Sequence, residues 1–164
     1  MLSIAAAASP HDLRDAVTLF REYAELVAEA LCFQDFDREL ASLPGEYAPP
    51  GGVLLIARDA EAAARSTTGG NAAGCVALRR LDAASGEMKR MYVRAAYRGA
   101  GLGRRLAAAV IEEARRREYR RLLLDTLPRL SAAIALYRDL GFRETGPYLA
   151  RPTPGALCFE LELS

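Results

Sequence analysis

A glycine-rich segment, Arg98–Gly103, separates two regions of this chain that have different hydrophobic patterns. The residues before it, Glu87–Val93, are typical of a β-strand, and those after it, Leu102–Glu118, carry apolar side chains at every fourth position, as an amphipathic helix does. Glycine has no Cβ and permits a tight turn from strand to helix. The first N–H groups of such a helix have no partner within the helix and, with the helix dipole, attract an anion. The segment therefore predicts a strand–turn–helix unit with an anion site.

The glycine pattern alone also admits a plainer interpretation, a flexible connection flanked by solvated arginines. Two other phosphate-binding motifs are excluded, because the chain has no GxxxxGK[ST] and its glycines do not form GxGxxG. The preceding strand is predicted to be antiparallel to its neighbour, which removes the structural context of a dinucleotide-binding βαβ unit.

Composition narrows the class of protein. Of the 164 residues 51% are apolar and 26% charged, the balance of a soluble domain with its own core. The net charge of +1 lacks the long-range field that draws proteins onto nucleic acid or anionic membranes, so we expect neither partner. No apolar run approaches the roughly 20 residues that cross a bilayer, and Met1–Ala8 lacks the basic flank of a signal peptide, so we expect a cytoplasmic protein.

The cysteines indicate neither a disulfide framework nor a zinc site. Cys32, Cys75 and Cys158 are odd in number, widely separated and without a CxxC pair, so we expect reduced and mostly buried side chains. No group of histidine, cysteine and carboxylate residues has the spacing of metal ligands, and we expect no metal.

Periodicity predicts one α+β domain over residues 1–164, with a mixed, mostly antiparallel, twisted sheet of about six or seven strands and about four flanking helices. The predicted helices are Pro10–Ala30, Asp37–Ser42, Leu102–Glu118 and Ser131–Leu140. The predicted strands are Val53–Ala57, Gly74–Leu81, Glu87–Val93, Arg121–Asp125 and a closing strand over 157–163.

Two of the remaining segments carry specific expectations. Ala60–Asn71 ends in a polar stretch with little to bury and is predicted to be a mobile hairpin tip. In the closing strand, apolar side chains alternate with Cys158, Glu160 and Glu162, which predicts that the face carrying these three is solvated.

Two motifs together resemble the GCN5-related N-acetyltransferases, which use acetyl coenzyme A. One is Arg98-Gly99-Ala100-Gly101-Leu102-Gly103, similar to the family's R/Q-x-x-G-x-G/A signature. The other is the segment Ala135–Phe142, similar to the family's later x-L-Y-x-x-x-G-F helix. The resemblance covers most of the chain, whereas Leu31–Pro50 is particular to this protein.

The resemblance implies which residues hold acetyl-CoA as a co-substrate. In the family, backbone N–H groups of the glycine loop hold the pyrophosphate, and the strand before it pairs with the pantetheine arm. The family often has an asparagine where Leu130 stands, and Ser131 next to it could substitute. The implied coenzyme-binding residues are Met91, Tyr92, Val93, Arg98, Gly99, Ala100, Gly101, Leu102, Gly103, Arg104 and Ser131.

The resemblance also implies two catalytic residues for direct acetyl transfer to an amine. Tyr137 matches the tyrosine near the coenzyme sulfur, which protonates the departing thiolate; the less favoured alternative is that it only packs beside Phe142. Glu87 matches a glutamate that serves as general base in some members. Unless a bulge intervenes, strand alternation places four side chains of this strand on one face: Glu87, Lys89, Met91 and Val93. The alternative to a role as general base is that Glu87 forms an ion pair with Lys89 or an arginine.

The acceptor pocket is implied to form from Leu31–Pro50 and Phe142–Cys158. Lys89 and Arg90 would suit an acceptor that bears a carboxylate. Acidic and aromatic residues that could instead receive and enclose a cationic amine are Asp35, Asp37, Glu46, Phe33, Phe36, Tyr47 and Tyr148.

Three functions stay open at this level. The favoured one is an N-acetyltransferase acting on a small-molecule or peptide amine. A non-catalytic acyl-CoA sensor is the second, and the third, a nucleic-acid-binding domain, would rest on the arginine cluster within 115–121. Homodimer formation also stays open.

Overall fold

The computed structural model describes residues 1–31, 35–65 and 70–164. In these ranges seven strands form one sheet in the order β1-β2-β3-β4-β5-β7-β6. Every neighbouring pair is antiparallel except β4 and β5, which are parallel. This confirms the predicted mixed, mostly antiparallel sheet. The strands are β1 (Leu2–Ala6), β2 (Val53–Asp59), β3 (Ala72–Arg80), β4 (Ser85–Val93), β5 (Arg121–Thr126), β6 (Arg143–Thr145) and β7 (Leu157–Glu162).

Helices cover both faces of the sheet and bury two apolar clusters. In the described ranges they are α1 (Pro10–Leu31), α2 (Phe36–Ser42), α3 (Ala60–Arg65), α4 (Leu102–Arg116) and α5 (Ser131–Asp139). One face packs against α4 and α5 through residues such as Leu106, Val110 and Ile134. The other packs against α1 and α2 through Leu19 and Phe20. Strands β2 and β3 are therefore covered on both sides, as the continuous apolar run Val53–Ala57 predicts for β2.

The first helix begins where its capping residues stand. The Ser9 hydroxyl accepts a hydrogen bond from the Asp12 N–H at 3.2 Å, and the Asp12 carboxylate accepts one from the Ser9 N–H at 2.9 Å. This reciprocal arrangement satisfies two N–H groups at the helix start. Near its other end, Val27 departs from helical geometry, with φ −130° and ψ 28°.

A bulge in β4 changes which side chains share a face. Cys75 of β3 lies opposite Tyr92, but Ala77 lies opposite Lys89, so β4 carries one extra residue between them. Arg90 in this segment has a left-handed φ of 58°. Consequently Met91 packs with the cluster under α4, whereas Glu87 contacts Arg79 on the opposite face. Glu87 and Met91 therefore lie on opposite faces, because a bulge, the stated exception to the expected alternation, is present in β4.

The parallel strands β4 and β5 pair only at their amino ends. Three residue pairs join them, the last being Glu87 with Leu123. Beyond that point the two strands diverge, while β5 continues to pair with β7 as far as Thr126. The divergence leaves a space between the second halves of β4 and β5.

Several sequence expectations need correction. The alternation pattern did not predict β1 or β6, which are short edge strands of the sheet. Ala60–Arg65, expected within a hairpin tip, forms α3, because alanine favours a helix even without an apolar stripe. Ser66–Gly69, the polar part of that tip, lies outside the described residues.

The burial of Cys158 bears on the expectation that one face of β7 is solvated. Cys158 is buried, with 7% of its surface exposed, so its face of β7 is not solvated throughout. In the sheet, Cys158 lies opposite Asp125 of β5. Cys75 and Cys158 are free thiols, whereas Cys32 lies outside the described residues.

Candidate active site

An open groove of about 600 Å³ runs from the carboxyl end of β4 to the amino end of α4 and the start of α5. It brings together the residues implied to bind the coenzyme, with the exception of Ala100. The expected residues that line it are Met91, Tyr92, Val93, Arg98, Gly99, Gly101, Leu102, Gly103, Arg104 and Ser131. Residues 23, 26 and 27 of α1 form the facing wall.

The glycine loop adopts the backbone conformation for which glycine is suited. Gly99 and Gly101 have φ of 80° and 79°, in the left-handed region. An added Cβ would meet no atom within 4 Å at either position, so the backbone conformation and not crowding requires glycine. Gly101 is the N-cap of α4, and its carbonyl accepts the first helical hydrogen bond from Arg105 at 3.1 Å. The N–H groups before that bond belong to residues that line the groove.

Two arginines bring positive charge to the same end of α4. The Arg98 Nε donates a hydrogen bond to the Val93 carbonyl at 2.9 Å, and its guanidinium lies over the Tyr92 ring. Arg104 forms an ion pair with Asp139 of α5. Together with the helix N-terminus, this arrangement fits a diphosphate.

A smaller cavity of about 60 Å³ lies in the space where β4 and β5 diverge. It adjoins the groove, since the two spaces share five lining residues: Tyr23, Val27, Met91, Leu130 and Ala133. The residues that line the cavity alone are Met88, Lys89, Arg90, Leu124, Asp125, Thr126, Leu127, Tyr137, Thr153 and Ala156.

Tyr137 of α5 lies in the wall of this cavity. Its ring packs 5.8 Å from Phe142 and 6.3 Å from Phe159, and only 6% of the residue is exposed. Burial raises the pKa of its hydroxyl above the ordinary value. The side chain therefore combines a packed ring with a hydroxyl that stays protonated at neutral pH.

Glu87 is fully buried and does not line the cavity. Its Oε1 accepts a hydrogen bond from Arg79 Nε at 2.6 Å, and its Oε2 accepts one from the Tyr148 hydroxyl, also at 2.6 Å. Lys89 Nζ lies 3.8 Å from Oε1. The alternative to a role as general base was that Glu87 pairs with Lys89 or with an arginine. Both of these ion pairs are present.

Lys89 and Arg90 of β4 contribute to the cavity as cationic residues. The Arg90 guanidinium donates to both carboxylate oxygens of Glu39 at 2.8 and 3.0 Å and lies over the Phe36 ring. Burial and the charge of Arg90 lower the pKa of Lys89. Both side chains stand at the end of the cavity nearest α2.

The acceptor residues suggested by the sequence do not meet in one place. None of the three suggested carboxylates, Asp35, Asp37 and Glu46, lines the cavity beside Tyr137. Asp35 and Glu46 line a separate pocket of about 310 Å³ next to α2, and Glu46 pairs with Arg79 at 2.8 Å. Tyr47 is a core residue whose hydroxyl donates to Glu39. Phe33 lies outside the described residues.

Four polar residues that line the cavity were not recognised in the sequence. Tyr23 belongs to α1, Asp125 and Thr126 end β5, and Thr153 is buried in the loop before β7. The signal that could have identified Asp125 is a carboxylate directly after the apolar run Leu122–Leu124, at the end of a strand, where polar residues of a sheet often form a site.

Comparison with known proteins identifies relatives of this chain. A model of the acetyltransferase (GNAT) family matches residues 15–142. An N-acetyltransferase of Schizosaccharomyces pombe, described as uncharacterized, is 38% identical over 164 residues, which cover 99% of this chain and 96% of the relative.

Solved structures show the same fold. An acetyltransferase of the GNAT family from Staphylococcus aureus has a TM-score of 0.79 at 19% identity, with 100% of each chain covered. A GNAT family acetyltransferase from Elizabethkingia anophelis with acetyl-CoA bound has a TM-score of 0.61 at 19% identity, with coverage of 99% of this chain and 98% of the other. In the described part of the chain, no helix is long and apolar enough to cross a membrane.

Proposed function

Because this chain belongs to the acetyltransferase (GNAT) family, we propose that it transfers the acetyl group of acetyl-CoA directly to a primary amine of a small molecule or peptide. The observation that supports the proposal is the shared wall between the groove at the glycine loop and the cavity beside Tyr137. A thioester that lies along the groove would have its reactive end at that cavity. We place the reaction in the cytoplasm.

The groove is suited to acetyl-CoA along its length. The loop Gly99–Gly103 and the start of α4 would hold the pyrophosphate, with Arg98 and Arg104 adding charge. The backbone of Met91–Val93, at the end of β4, would pair with the pantetheine arm. Acetyl-CoA supplies the thioester, and the protein supplies its orientation, which can contribute on the order of 7–11 kcal/mol in favourable cases.

Tyr137 is proposed as the general acid. Its hydroxyl would donate a proton to the sulfur as the C–S bond breaks, which avoids release of a free thiolate in a largely buried site. The raised pKa of the phenol keeps that proton available at neutral pH. Packing against Phe142 and Phe159 holds the ring, and the ring in turn sets the position of the hydroxyl.

Glu87 is proposed as the residue that promotes loss of the amine proton. The carboxylate has no exposed surface, and both oxygens already accept hydrogen bonds, from Arg79 and Tyr148. It therefore acts from behind the cavity wall, through a neighbouring group and not by contact with the amine.

The proposal is tested by incubation of the purified protein with acetyl-CoA and a panel of primary amines. The panel includes alkylamines, polyamines, amino acids and short peptides, and released thiol is measured. We expect thiol release above the hydrolytic background with at least one class, with the acetylated amine identified by mass spectrometry. Binding of acetyl-CoA without transfer to any amine would contradict the proposal.

A further inference from the structure

We infer that Lys89 is a site of self-acetylation, at which the Nζ of the lysine takes the acetyl group of acetyl-CoA when no acceptor amine is present. Lys89 is the only lysine of this chain. The inference rests on the proposed acetyl transfer and adds a modification site that neither family motif includes. It follows from the position of Lys89, from the charges around its ammonium group and from the chemistry of the step.

Lys89 lies where the cavity beside Tyr137 meets the pocket of about 310 Å³ next to α2. It lines both spaces, and no other residue of the described ranges does so. Only 9% of its side chain is exposed, so its Nζ is held inside the protein and not at the surface. A primary amine, the group to which the proposed reaction transfers acetyl, thus forms part of the wall of the transfer site.

The strand β4 places Lys89 close to the end of the groove. Met91, which lines both the groove and the cavity, follows Lys89 by two residues, a separation of at most about 7 Å between the Cα atoms. A thioester that lies along the groove would have its reactive end at this cavity. The long, flexible stem of a lysine can span such a distance.

Two carboxylates lie near the Lys89 ammonium group, and each is also bound by an arginine. Glu87 Oε1 lies 3.8 Å from Lys89 Nζ but 2.6 Å from Arg79 Nε. Glu39 accepts hydrogen bonds from Arg90 at 2.8 and 3.0 Å. The arginines therefore offset much of the negative charge that would otherwise hold the proton on Lys89. The charged groups that face Lys89 are Arg79 on β3, Glu87 and Arg90 on β4, Glu39 on α2 and Asp125 on β5.

The chemistry of lysine distinguishes this position from its basic neighbours. An arginine guanidinium stays protonated, whereas a buried lysine can lose its proton and act as a nucleophile. Burial and the charge of Arg90 lower the pKa of Lys89, which increases the fraction of neutral amine. Lysine and arginine together number 22 in this chain, and arginine occupies all the other positions, including 79 and 90.

The transfer to Lys89 balances with groups of this site. The Lys89 ammonium group loses one proton to the Glu87 carboxylate, and the lone pair of Nζ attacks the carbonyl carbon of the thioester. The C–N bond forms, the C–S bond breaks, and Tyr137 protonates the sulfur. A second proton leaves the nitrogen and restores the Tyr137 hydroxyl, and the proton on Glu87 passes to solvent. The products are N-acetyl-lysine, coenzyme A and one released proton.

Acetylation of Lys89 would alter the site for later reactions. It removes the positive charge of Lys89 and leaves the pair of Glu87 with Arg79. The acetyl group also takes up space beside a cavity of about 60 Å³. We therefore expect self-acetylation to slow transfer to an external amine, so that the enzyme inactivates itself when acetyl-CoA is present without an acceptor.

The first test measures the modification on the intact chain. Wild type is incubated with acetyl-CoA in the absence of amines, and the site is mapped by tandem mass spectrometry. We expect one acetyl group per chain at Lys89, stable to hydroxylamine, which removes acetyl groups from cysteine and tyrosine. The control Lys89→Arg keeps the positive charge and should gain no acetyl group at this position. Heat-denatured wild type should be modified far more slowly than the folded protein.

Two outcomes separate this inference from the proposed function. If amines of the panel are acetylated but Lys89 is not modified in their absence, the inference is overturned and the proposed function stands. If Lys89 is acetylated but no amine of the panel is, the inference is supported and transfer to an external amine is contradicted.

The second test distinguishes transfer within the site from chemical acetylation in solution. Arg116→Lys places a lysine on an exposed part of α4, where 72% of the Arg116 side chain is accessible. Because a bound thioester reacts with a neighbouring amine as if both were in one molecule, Lys89 should be acetylated at least about tenfold faster than position 116. Equal or faster acetylation of position 116 would overturn the inference.

Rates measured on the same samples test the consequence for catalysis. The kcat for an amine that the wild type acetylates should fall in proportion to the fraction of Lys89 that is modified. Lys89→Arg that has been incubated with acetyl-CoA should keep its own initial rate. A fully acetylated wild type with unchanged kcat would overturn the inferred self-inactivation.

Discussion

The guanidinium of Arg90 donates hydrogen bonds to both carboxylate oxygens of Glu39, although 51 residues separate the two in sequence. Glu39 belongs to α2, and Arg90 occupies the bulge of β4 beside the cavity. The pair is largely buried, with 2% of the Arg90 side chain and 18% of the Glu39 side chain exposed. It ties the segment most particular to this protein to the strand that would hold the thioester.

This ion pair makes stability depend on pH. Burial alone would raise the pKa of Glu39, but the hydrogen bonds and charge of Arg90 outweigh it and the pKa is lowered. A lowered pKa in the folded state means that the stabilisation is complete above the ordinary value of about 4.3 and is lost as pH falls through the lowered value.

Glu39→Ala should therefore reduce the free energy of unfolding by about 1.5–3 kcal/mol at pH 7, the range for hydrogen bonds to a charged group. The difference from wild type should narrow below about pH 4. Urea unfolding at several pH values measures both effects, with Glu25→Ala on the exposed face of α1 as control. A difference that is constant from pH 3 to pH 7 would contradict the assigned pKa direction.

Tyr137→Phe isolates the hydroxyl of the proposed acid. The ring and its contacts with Phe142 and Phe159 remain, so acetyl-CoA affinity should change less than about twofold while kcat falls roughly 100-fold. Initial rates and calorimetric titration separate the two quantities.

Tyr119→Phe provides a matched control for the loss of a buried hydroxyl. The Tyr119 hydroxyl donates to the Gly51 carbonyl at 2.6 Å, away from the cavity and the groove. Its removal should cost about 1 kcal/mol of stability and leave kcat unchanged. Equal kcat values for Tyr137→Phe and Tyr119→Phe would argue against the acid role.

Glu87→Gln should affect both stability and rate. Breaking a buried ion pair costs about 3–5 kcal/mol. Here the Glu87 side chain is fully buried, that of Arg79 is 18% exposed, and Arg79 retains only the more exposed Glu46. If Glu87 promotes deprotonation of the amine, the rate loss should be greatest at low pH. Chemical denaturation and pH–rate profiles measure the two effects.

Tyr148→Phe serves as the comparison for Glu87→Gln. It removes the hydrogen bond to Oε2 but keeps the carboxylate charge and the pair with Arg79. We expect a loss of about 1.5–3 kcal/mol in stability, the range for a hydrogen bond to a charged group, with a pH–rate profile shaped like that of the wild type. Identical pH–rate profiles for Glu87→Gln and the wild type would refute the role of Glu87 in proton removal.

Gly101→Ala tests the glycine loop as the anion site. The position has φ of 79°, where a Cβ costs roughly 1–2 kcal/mol, although no neighbouring atom obstructs it. If the loop relaxes to a new conformation, acetyl-CoA affinity should fall about tenfold or more.

Gly155→Ala introduces similar backbone strain elsewhere. Gly155 has φ of 74° and also has no atom within 4 Å of an added Cβ, but it does not line the groove. Its substitution should lower stability to a similar extent and leave acetyl-CoA affinity unchanged. Equal affinities for the two variants, measured by calorimetry, would mean that the loop does not hold the coenzyme.

Features that depend on neighbours along the chain could be predicted from the sequence. The helix start at Ser9–Asp12, the turn at Gly99–Gly101 and the end of α5 before Gly141 follow from capping and from glycine's access to positive φ. The continuous apolar run Val53–Ala57 indicated that β2 is buried on both faces. These signals act over a few residues, so no knowledge of the fold is needed to recognise them.

Features that depend on how the sheet assembles were decided by the tertiary structure. The bulge at Arg90 placed Glu87 and Met91 on opposite faces, and the divergence of β4 from β5 opened the cavity that Asp125 and Tyr137 line. Buried charges such as Glu39 resemble solvated ones in a sequence, because their partners lie tens of residues away. By itself the sequence determined most of the helices and strands and the glycine loop, whereas packing decided which charged residues pair with one another and which of them line the cavity.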